Sequence, residues 1–390
     1  MPDARHWCDD PVAEAHSREL AERIRAEAEA AGGSLPFDRF MELALYAPGL
    51  GYYMAGARKL GADGDFVTAP ELSPLFGRCL ARQCQEALAA VGGGDILEVG
   101  AGQGTLAAQV LGQLDRDGPL PRRYRILELS PELADRQRTR LRAAVPHLMP
   151  RIDWVTGFPE GLRGVVVANE VLDAMPVHRF EILADGSVGE VMVTPTPDGL
   201  GWQESVVPAR SPGLAAAVAE IQADGWARSA GVCGEVNLRL APWLASLSAA
   251  LDRALILLID YGYPRSELYH PERRAGTLMC HHRHQAHGDP YRAIGLQDIT
   301  AHVDFTAVAR AAARAELALA GYSTQTHFLL GCGLDRLLAE APEDPLALAQ
   351  GAKQLVLPTA MGERFQVMGL TKGLEYPWRG FALRDLRGRL

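Results

Sequence analysis

One short stretch narrows the fold more than any other: Ile96-Leu97-Glu98-Val99-Gly100-Ala101-Gly102-Gln103-Gly104-Thr105-Leu106. An apolar strand runs into three glycines at alternate positions, and a helical pattern starts at once. Glycine lets a backbone turn that sharply and lie against a ligand with no side chain between them. Read by itself, the stretch serves either a nucleotide-type cofactor or a tight strand-to-helix turn. Either use needs a helix packed back onto a buried strand, which places the chain among α/β folds.

The remaining pattern agrees. Candidate strands fall at Ile96–Val99, Tyr124–Leu129, Ile152–Val155, Val165–Ala168, Leu255–Asp260, Tyr322–Leu329 and Arg364–Gly369. The first five are short, mostly rich in Val, Ile and Leu, and separated by longer segments. Parallel strands covered by helices on both faces have this look. The chain has 390 residues, 48% of them hydrophobic, and only one large core is visible. Residues 1–90 read as an N-terminal region of helices and loops. Ser17 can cap a first helix that Gly32-Gly33 stops. Phe37, Phe40, Met41, Ala44 and Leu45 line one face of a second, and Ser73-Pro74 opens a third. Residues 91–390 read as a single domain with two insertions. The first, at about 179–253, holds a hairpin (Arg179 to Val193) and then helices (about Pro212 to Arg253). The second, at about 264–300, is rich in His, Arg, Tyr and Pro and reads as loop.

Composition excludes several classes. A net charge of −9 argues against nucleic acid, whose binding needs clustered Lys and Arg. The longest apolar run, Ala254 to Ile259, is far short of the roughly 20 residues that span a bilayer. Six cysteines, at 8, 79, 84, 233, 280 and 332, form no Cys-x-x-Cys pair, so a reducing cytoplasm is expected. Cys280, His281, His282, His284 and His287 resemble a metal tract by composition. They lack a helical pair of ligands, so no metal is expected there.

A dinucleotide site would read G-x-G-x-x-G, but here the third glycine comes one residue early. Glu98, two residues before the first glycine, is placed to take an amino group or the methionyl end of a cofactor. Both features favour S-adenosyl-L-methionine, which has no pyrophosphate to cradle. Glu128 ends the second strand, where an acid can accept hydrogen bonds from both ribose hydroxyls, with Leu129 beside it. It can also serve merely as a charge at a helix start. Gly157-Phe158, after the third strand, is placed to cover the adenine, although Phe158 suits the core equally. Arg58-Lys59 is a candidate partner for the methionyl carboxylate.

The fourth strand ends in VVVANEVLDAMPVHRF. Strand carboxyl ends face the ligand crevice in open α/β sheets, so Asn169, Glu170 and Asp173 should project into it. Asp260, ending the fifth strand, points the same way as a third acid or as a turn residue. Paired carboxylates suit a guanidinium, which stays charged and presents a planar fork of donors. The plainer alternative is that these acids cap the following helix.

The segments PFDRFMELALYAPGLGYYM, GDFVTAPELSPLFG, LEVGAGQGTLA, ILELSPEL, NEVLDAMPVHRF, LLIDYGYP and DITAHVDFTAVA occur here in one order. In that order they resemble MidA-like proteins, the bacterial and mitochondrial relatives of the complex I assembly-factor arginine methyltransferase. The resemblance spans about Ser34 to Gly369. It implies a Rossmann-like class I methyltransferase core with a seven-stranded, mostly parallel sheet. It also implies S-adenosyl-L-methionine as cofactor and S-adenosyl-L-homocysteine as product. For mitochondrial members it implies symmetric dimethylation of arginine on a core complex I subunit. Carried over by position, the glycine loop with Gly100, Ala101, Gly102 and Gly104, Glu128, and the segment with Thr68, Pro70 and Glu71 belong to the cofactor pocket, to which the reading of the residues adds Glu98, Leu129, Gly157, Phe158 and Asn169. Asn169, Glu170 and Asp173 belong to the acceptor side, and Asp260, His302 and Asp304 are further candidates.

No Arg- and Ser-rich presequence is apparent, so a bacterial, cytoplasmic member is expected. Its partner would be a protein with an accessible arginine, and a homodimer is left open. Methylation of a small molecule or another residue type remains an alternative. So does an assembly chaperone that binds the cofactor without turnover.

Overall fold

The computed structural model describes residues 10–55, 68–340 and 344–390. Its centre is a sheet of seven strands: β1 (Asp95–Val99), β2 (Tyr124–Leu127), β3 (Ile152–Val155), β4 (Leu162–Asn169), β5 (Leu251–Tyr263), β6 (Ala318–Thr324) and β7 (Phe365–Lys372). The spatial order is β3-β2-β1-β4-β5-β7-β6. All strands are parallel except β7, which runs antiparallel to both neighbours.

Burial on both faces explains the unbroken apolar runs. Ile96, Val165, Val167, Leu255, Leu257 and Ile259 enter one core cluster. Leu97, Val166, Ala168, Ile256 and Leu258 enter the cluster on the other side. Each such aliphatic side chain taken out of water contributes on the order of 1.5–3 kcal/mol, so neither face of these strands can be turned to solvent.

The sixth candidate strand needs correction. The strand ends at Thr324, and Gln325–Gly331 is a helix. Phe328 and Leu329 are fully buried from that helix, and a short apolar run does not by itself tell strand from helix. The first helix, α1 (Pro11–Ala30), starts earlier than Ser17. Asp10 accepts the Val12 N–H and Pro11 takes the first position, a stronger start than a serine already inside the pattern. Ser17 is buried within that helix.

Helix α2 (Phe37–Tyr46) buries Phe37, Phe40, Met41, Ala44 and Leu45 as its spacing requires. Helix α3 (Pro74–Val91) is capped by Ser73, whose hydroxyl accepts the Leu75 N–H. It packs directly on the sheet, so it belongs with the core rather than with the N-terminal region.

The first insertion contains the hairpin His178–Ile182 and Val188–Pro195, extended by Trp202–Pro208, Cys233–Val236 and the short Leu35–Pro36 strand. Two helices, Leu214–Ala223 and Leu240–Ala250, flank Cys233–Val236, so the stretch from Pro212 to Arg253 is not wholly helical. Leu35–Pro36 ties the N-terminal region to this sheet, and Arg239 adds ion pairs to Glu42 (2.7 Å) and Asp38 (3.3 Å). The second insertion, read as loop, forms a small sheet of Met279–His282, Gln285–His287 and Asp298–Thr300.

Sequence order reverses between β1 and β4. Chains leave β1 toward β2 and β3 on one side, and β4 leads to β5 on the other. The crevice above the carboxyl ends of β1 and β4 is where open α/β sheets bind ligands.

Candidate active site at the carboxyl edge of the sheet

The glycine loop follows β1 directly. Gly100, Gly102 and Gly104 have φ of 66°, 52° and 79°, in the left-handed region where other residues are strained. Gly104 leads into helix α4 (Thr105–Asp117). A Cβ at Gly104 would stand 3.3 Å from the backbone of Gln137, a residue of helix α5 (Pro131–Ala144).

Gln137 is fully buried and organises this half of the site. Its amide nitrogen donates to the Gly102 carbonyl (2.9 Å) and to Glu128 Oε2 (2.9 Å). Its oxygen accepts the Trp154 indole N–H (2.9 Å). Glu128 Oε1 accepts the Ser130 N–H (2.9 Å), and Ser130, not Glu128, caps α5. Burial raises the Glu128 pKa, and these hydrogen bonds work against that rise. Leu129 next to it is 60% exposed. Phe158 is half-buried edge-on to Trp243 at 5.8 Å, while Gly157 is exposed.

Glu98 does not stand open in the crevice. It shares the strand face of Ile96, is 2% exposed, and accepts the Tyr124 hydroxyl (2.6 Å). Burial pushes its pKa up to about 7. Thr68 precedes a short helix, Ala69–Leu72, held to α4, where Gln109 donates to the Pro70 carbonyl (2.6 Å). Oε2 of Glu71 and the hydroxyl oxygen of Thr105, at the start of α4, are buried without hydrogen-bond partners. Burial raises the Glu71 pKa, and Arg140 lowers it. Arg58-Lys59 lies outside the described residues.

The second half lies past β4. Glu170 has φ 55°, an unusual backbone for a side chain of its size and a form of strain concentrated at functional sites. Its two oxygens accept from Asn169 Nδ2 (3.0 Å) and the Tyr261 hydroxyl (3.3 Å). Burial, and then the Asp260 charge, push its pKa up to about 8. Asp173 is 3% exposed, and its Oδ1 has no hydrogen-bond partner; neither does the buried Oδ1 of Asn169. Burial holds the Asp173 pKa well above the usual range, with the charges of Asp260, Asp298 and Glu170 adding to it.

Of the two roles open to Asp260, a third acid or a turn residue, its hydrogen bonds favour the second. Its Oδ2 accepts the N–H groups of Val171 (3.2 Å), Leu172 (2.9 Å) and Asp173 (3.3 Å), and its Oδ1 accepts that of Tyr261 (2.9 Å). Both oxygens are thus committed to the turn that carries Glu170 and Asp173, which makes Asp260 a positioning residue. Asp304 is structural as well, capping helix Phe305–Arg314 and pairing with Arg265 (2.9 Å). His302 lies against Tyr263 (5.5 Å), and burial depresses its pKa to about 4.

Three residues at this end escaped the sequence reading. Tyr46 donates to the Ala174 carbonyl (2.9 Å), Tyr53 donates to Asp298 Oδ1 (2.9 Å), and the two rings stack at 5.5 Å. Asp298 opens the DITAHVDF motif, and the tyrosines sit in the YAPGLGYYM turn. The signal was therefore present as motif membership, without any spacing rule to assign a role. Among the described residues, no group of His, Cys, Asp and Glu side chains is arranged to hold a metal ion. No described helix is long and apolar enough to cross a membrane.

Comparison with known proteins agrees with this architecture. A family model for S-adenosyl-L-methionine-dependent methyltransferases, Methyltransf_28, matches residues 79–323. A COG1565 superfamily member from Burkholderia thailandensis, solved with S-adenosyl-homocysteine bound, superposes with a TM-score of 0.93 at 42% identity. That match covers 98% of this chain and 99% of the other. Protein arginine methyltransferase NDUFAF7 of Danio rerio is 32% identical over 86% of this chain and 83% of its own length. The human protein of that name is 28% identical over 87% of this chain and 80% of its own. The left-handed glycine loop, the fixed Glu128 and the unpartnered polar atoms of Glu71 and Thr105 fit the bound cofactor of such enzymes. The chain belongs to the Methyltransf_28 (COG1565) family of S-adenosyl-L-methionine-dependent methyltransferases, with the class I methyltransferase fold.

Proposed function

We propose that this methyltransferase acts on the guanidinium group of an arginine in a partner protein. The observation that carries the reading is the buried, unpartnered Oδ1 of Asp173, beside that of Asn169 and the carboxyl of Glu170. Buried polar atoms are ordinarily paired, and bare acceptors on Asp173 and Asn169, together with acids whose pKa values burial has raised, call for a donor-rich cation. Guanidinium is such a cation, planar and permanently charged.

When bound, the cofactor supplies an electrophilic methyl on a sulfonium centre. Glu128 takes the ribose, Leu129 and Phe158 cover the adenine, and Glu71 with Thr105 meets the polar amino-acid end. On the acceptor side, Glu170 and Asp173 hold two guanidinium nitrogens and draw positive charge toward them. The third nitrogen then forms its bond to the methyl carbon as the sulfur–carbon bond breaks. Most of the acceleration comes from holding donor and acceptor in line. The nitrogen gives up one proton, and Glu170 accepts it. The N-terminal region, through Tyr46 and Tyr53, closes over this chemistry.

The test uses purified full chain, methyl-labelled cofactor and an extract of cells lacking the protein. Labelled methylarginine in a protein, absent with Glu170→Gln, is the expected result. A complex I-type subunit is the first partner to try, since the MidA-like resemblance points to one. Label confined to lysine or to small molecules would overturn the reading.

A further inference from the structure

Three consecutive residues of β5 meet the turn that follows β4, each in a different way. The Ile259 carbonyl accepts the Glu170 N–H (2.9 Å), and Asp260 accepts the N–H groups of residues 171–173. Tyr261 donates its hydroxyl to Oε2 of Glu170 (3.3 Å). Successive strand residues point to opposite faces, so Asp260 and Tyr261 leave the strand on opposite sides. Ile259 and Phe365 belong to one core cluster, and Tyr261 packs against it. Phe365 is the β7 residue registered opposite Tyr261, and the two ring centroids lie 4.0 Å apart. The ring is thus seated by the sheet, and the hydroxyl is presented by a strand. Burial, and then the Glu170 charge, hold that hydroxyl well above its usual range, so its proton stays on oxygen.

We infer that Tyr261 is a positioning residue for methyl transfer, fixing the Glu170 carboxylate where Ile259 and Asp260 fix only the backbone around it. This deepens the arginine reading and rests on it. With Asn169 on Oε1 and Tyr261 on Oε2, turning the carboxylate would break both bonds. A carboxylate oxygen accepts two hydrogen bonds, so these donors leave capacity on each oxygen for a guanidinium. A donor also favours the ionised acid, the form that grips a cation and can take a proton. Burial, and then Asp260, raise the Glu170 pKa to about 8, and the bonds from Asn169 and Tyr261 act against that rise. The other charges facing Glu170 are Asp173 on the same turn and Asp298 from the second insertion. The His302 ring lies 6.4 Å from that of Tyr261, and burial keeps it neutral above about pH 4.

The experiment titrates the Glu170 carboxyl by NMR of the full chain, carbon-13-labelled at the glutamate carboxyls. The signal that Glu170→Gln removes is that of Glu170. The wild-type midpoint should be about 8. In Tyr261→Phe, which keeps the ring on Phe365, it should stand about one pH unit higher, the scale of one hydrogen bond to a charged group. Asp173 and Asp260 titrate alongside in both proteins, so the difference between midpoints isolates the hydroxyl. Methyl transfer from labelled cofactor into protein of the extract is then followed against pH. The acid limb for Tyr261→Phe should move up by the same amount, with about tenfold loss near pH 7 and a rate within a few-fold of wild type above about pH 9. An unmoved midpoint overturns the proposal. So does an equal loss of rate at every pH, which is what a merely structural tyrosine would give. If Tyr261→Phe does not fold, Phe365→Leu decides, since it keeps the hydroxyl and takes away its seat. That variant should raise the midpoint by less, and an unmoved midpoint there overturns the proposal. Wild type that labels no arginine overturns the arginine reading, while the carboxyl titration still decides whether Tyr261 fixes Glu170.

Discussion

Replacing Glu170 by Gln should make the protein more stable and inactive, and the gain in stability should depend on pH in a specific direction. An acid whose pKa is raised in the folded state keeps a proton that the unfolded chain has released. Folding is therefore disfavoured over the window between the two values, and stability falls as pH rises through it. For Glu170 the window runs from 4.5 to about 8. Below the window both states are protonated and the penalty is absent; above it the penalty is complete. At about 1.4 kcal/mol per pKa unit the ceiling approaches 5 kcal/mol. Partial exposure and coupling to Asp173 and Asp260 reduce this to about 2 kcal/mol. Gln keeps the shape and the strained backbone but carries no charge, so it removes this penalty; its amide oxygen keeps one of the two hydrogen bonds and its amide nitrogen can donate to the oxygen of the other partner. For a chain of this length the expected rise in Tm is about 2–4 °C at pH 8, vanishing near pH 4.5. Thermal unfolding of both proteins without cofactor, from pH 4.5 to 8.5, reads it directly. A pH-independent difference, or a less stable variant at pH 8, would refute the argument that buried charge makes this site costly.

Gly102→Val should abolish binding of S-adenosyl-L-homocysteine, because a β-branched residue pays roughly 1–2 kcal/mol in a left-handed backbone and intrudes where the ligand lies; micromolar affinity by calorimetry would refute the placement of the loop. Gln137→Leu leaves the Trp154 N–H and the Gly102 carbonyl without partners, at about 1–3 kcal/mol each, and frees Glu128. It should weaken cofactor binding about 10–100-fold with little change in kcat at saturation, since its bonds lie on the cofactor half; steady-state kinetics separates the two effects. Asp260→Ala removes a buried acid, as Glu170→Gln does, but should have the opposite sign. It strips four N–H groups of their acceptor, so a loss of about 2–4 kcal/mol in urea unfolding is expected.

The cofactor half was largely legible because its rules are local. A strand buried on both faces is a continuous apolar run, a sharp strand-to-helix turn needs glycine, and an acid at the end of the next strand reaches the same crevice. Those rules placed Gly100, Gly102, Gly104 and Glu128 at the carboxyl ends of neighbouring strands without any knowledge of tertiary packing, and the structure has them there. They misplaced Glu98 because the glycine loop drew attention to its nearness in sequence, whereas the strand pleat puts it on the Ile96 face beneath Tyr124. They did not find Gln137, since an isolated glutamine on a polar helix carries no pattern. Asp260 shows a different limit. Its position at a strand end correctly aimed it at the crevice, but the backbone path of residues 171–173 decides whether its oxygens meet a ligand or N–H groups. Tyr46, Tyr53 and Asp298 were out of reach, because only the tertiary fold brings residues so far apart in sequence to one place.

The split between what was legible and what was not follows the division of labour in the fold. Glycine loop, Gln137, Glu128 and Trp154 all belong to the β1-β2-β3 side, where core packing and a hydrogen-bond network hold these groups in place. Glu170 and Asp173 belong to the β4-β5 side, where the fold supplies acids, leaves Oδ1 of Asp173 without a partner, and accepts both a strained φ and raised pKa values. A group left in that condition is destabilising unless something else satisfies it, so selection for stability alone would remove it. The glycine-loop half is therefore held largely by the fold itself, with Glu71 and Thr105 its open polar atoms, whereas the acid-bearing half leaves its charge for a ligand to satisfy. Acceptor affinity should consequently rise with pH as the acids ionise, whereas cofactor affinity should not follow the same curve. A common pH profile for both ligands would mean that the two halves are one electrostatic unit and that this separation is wrong.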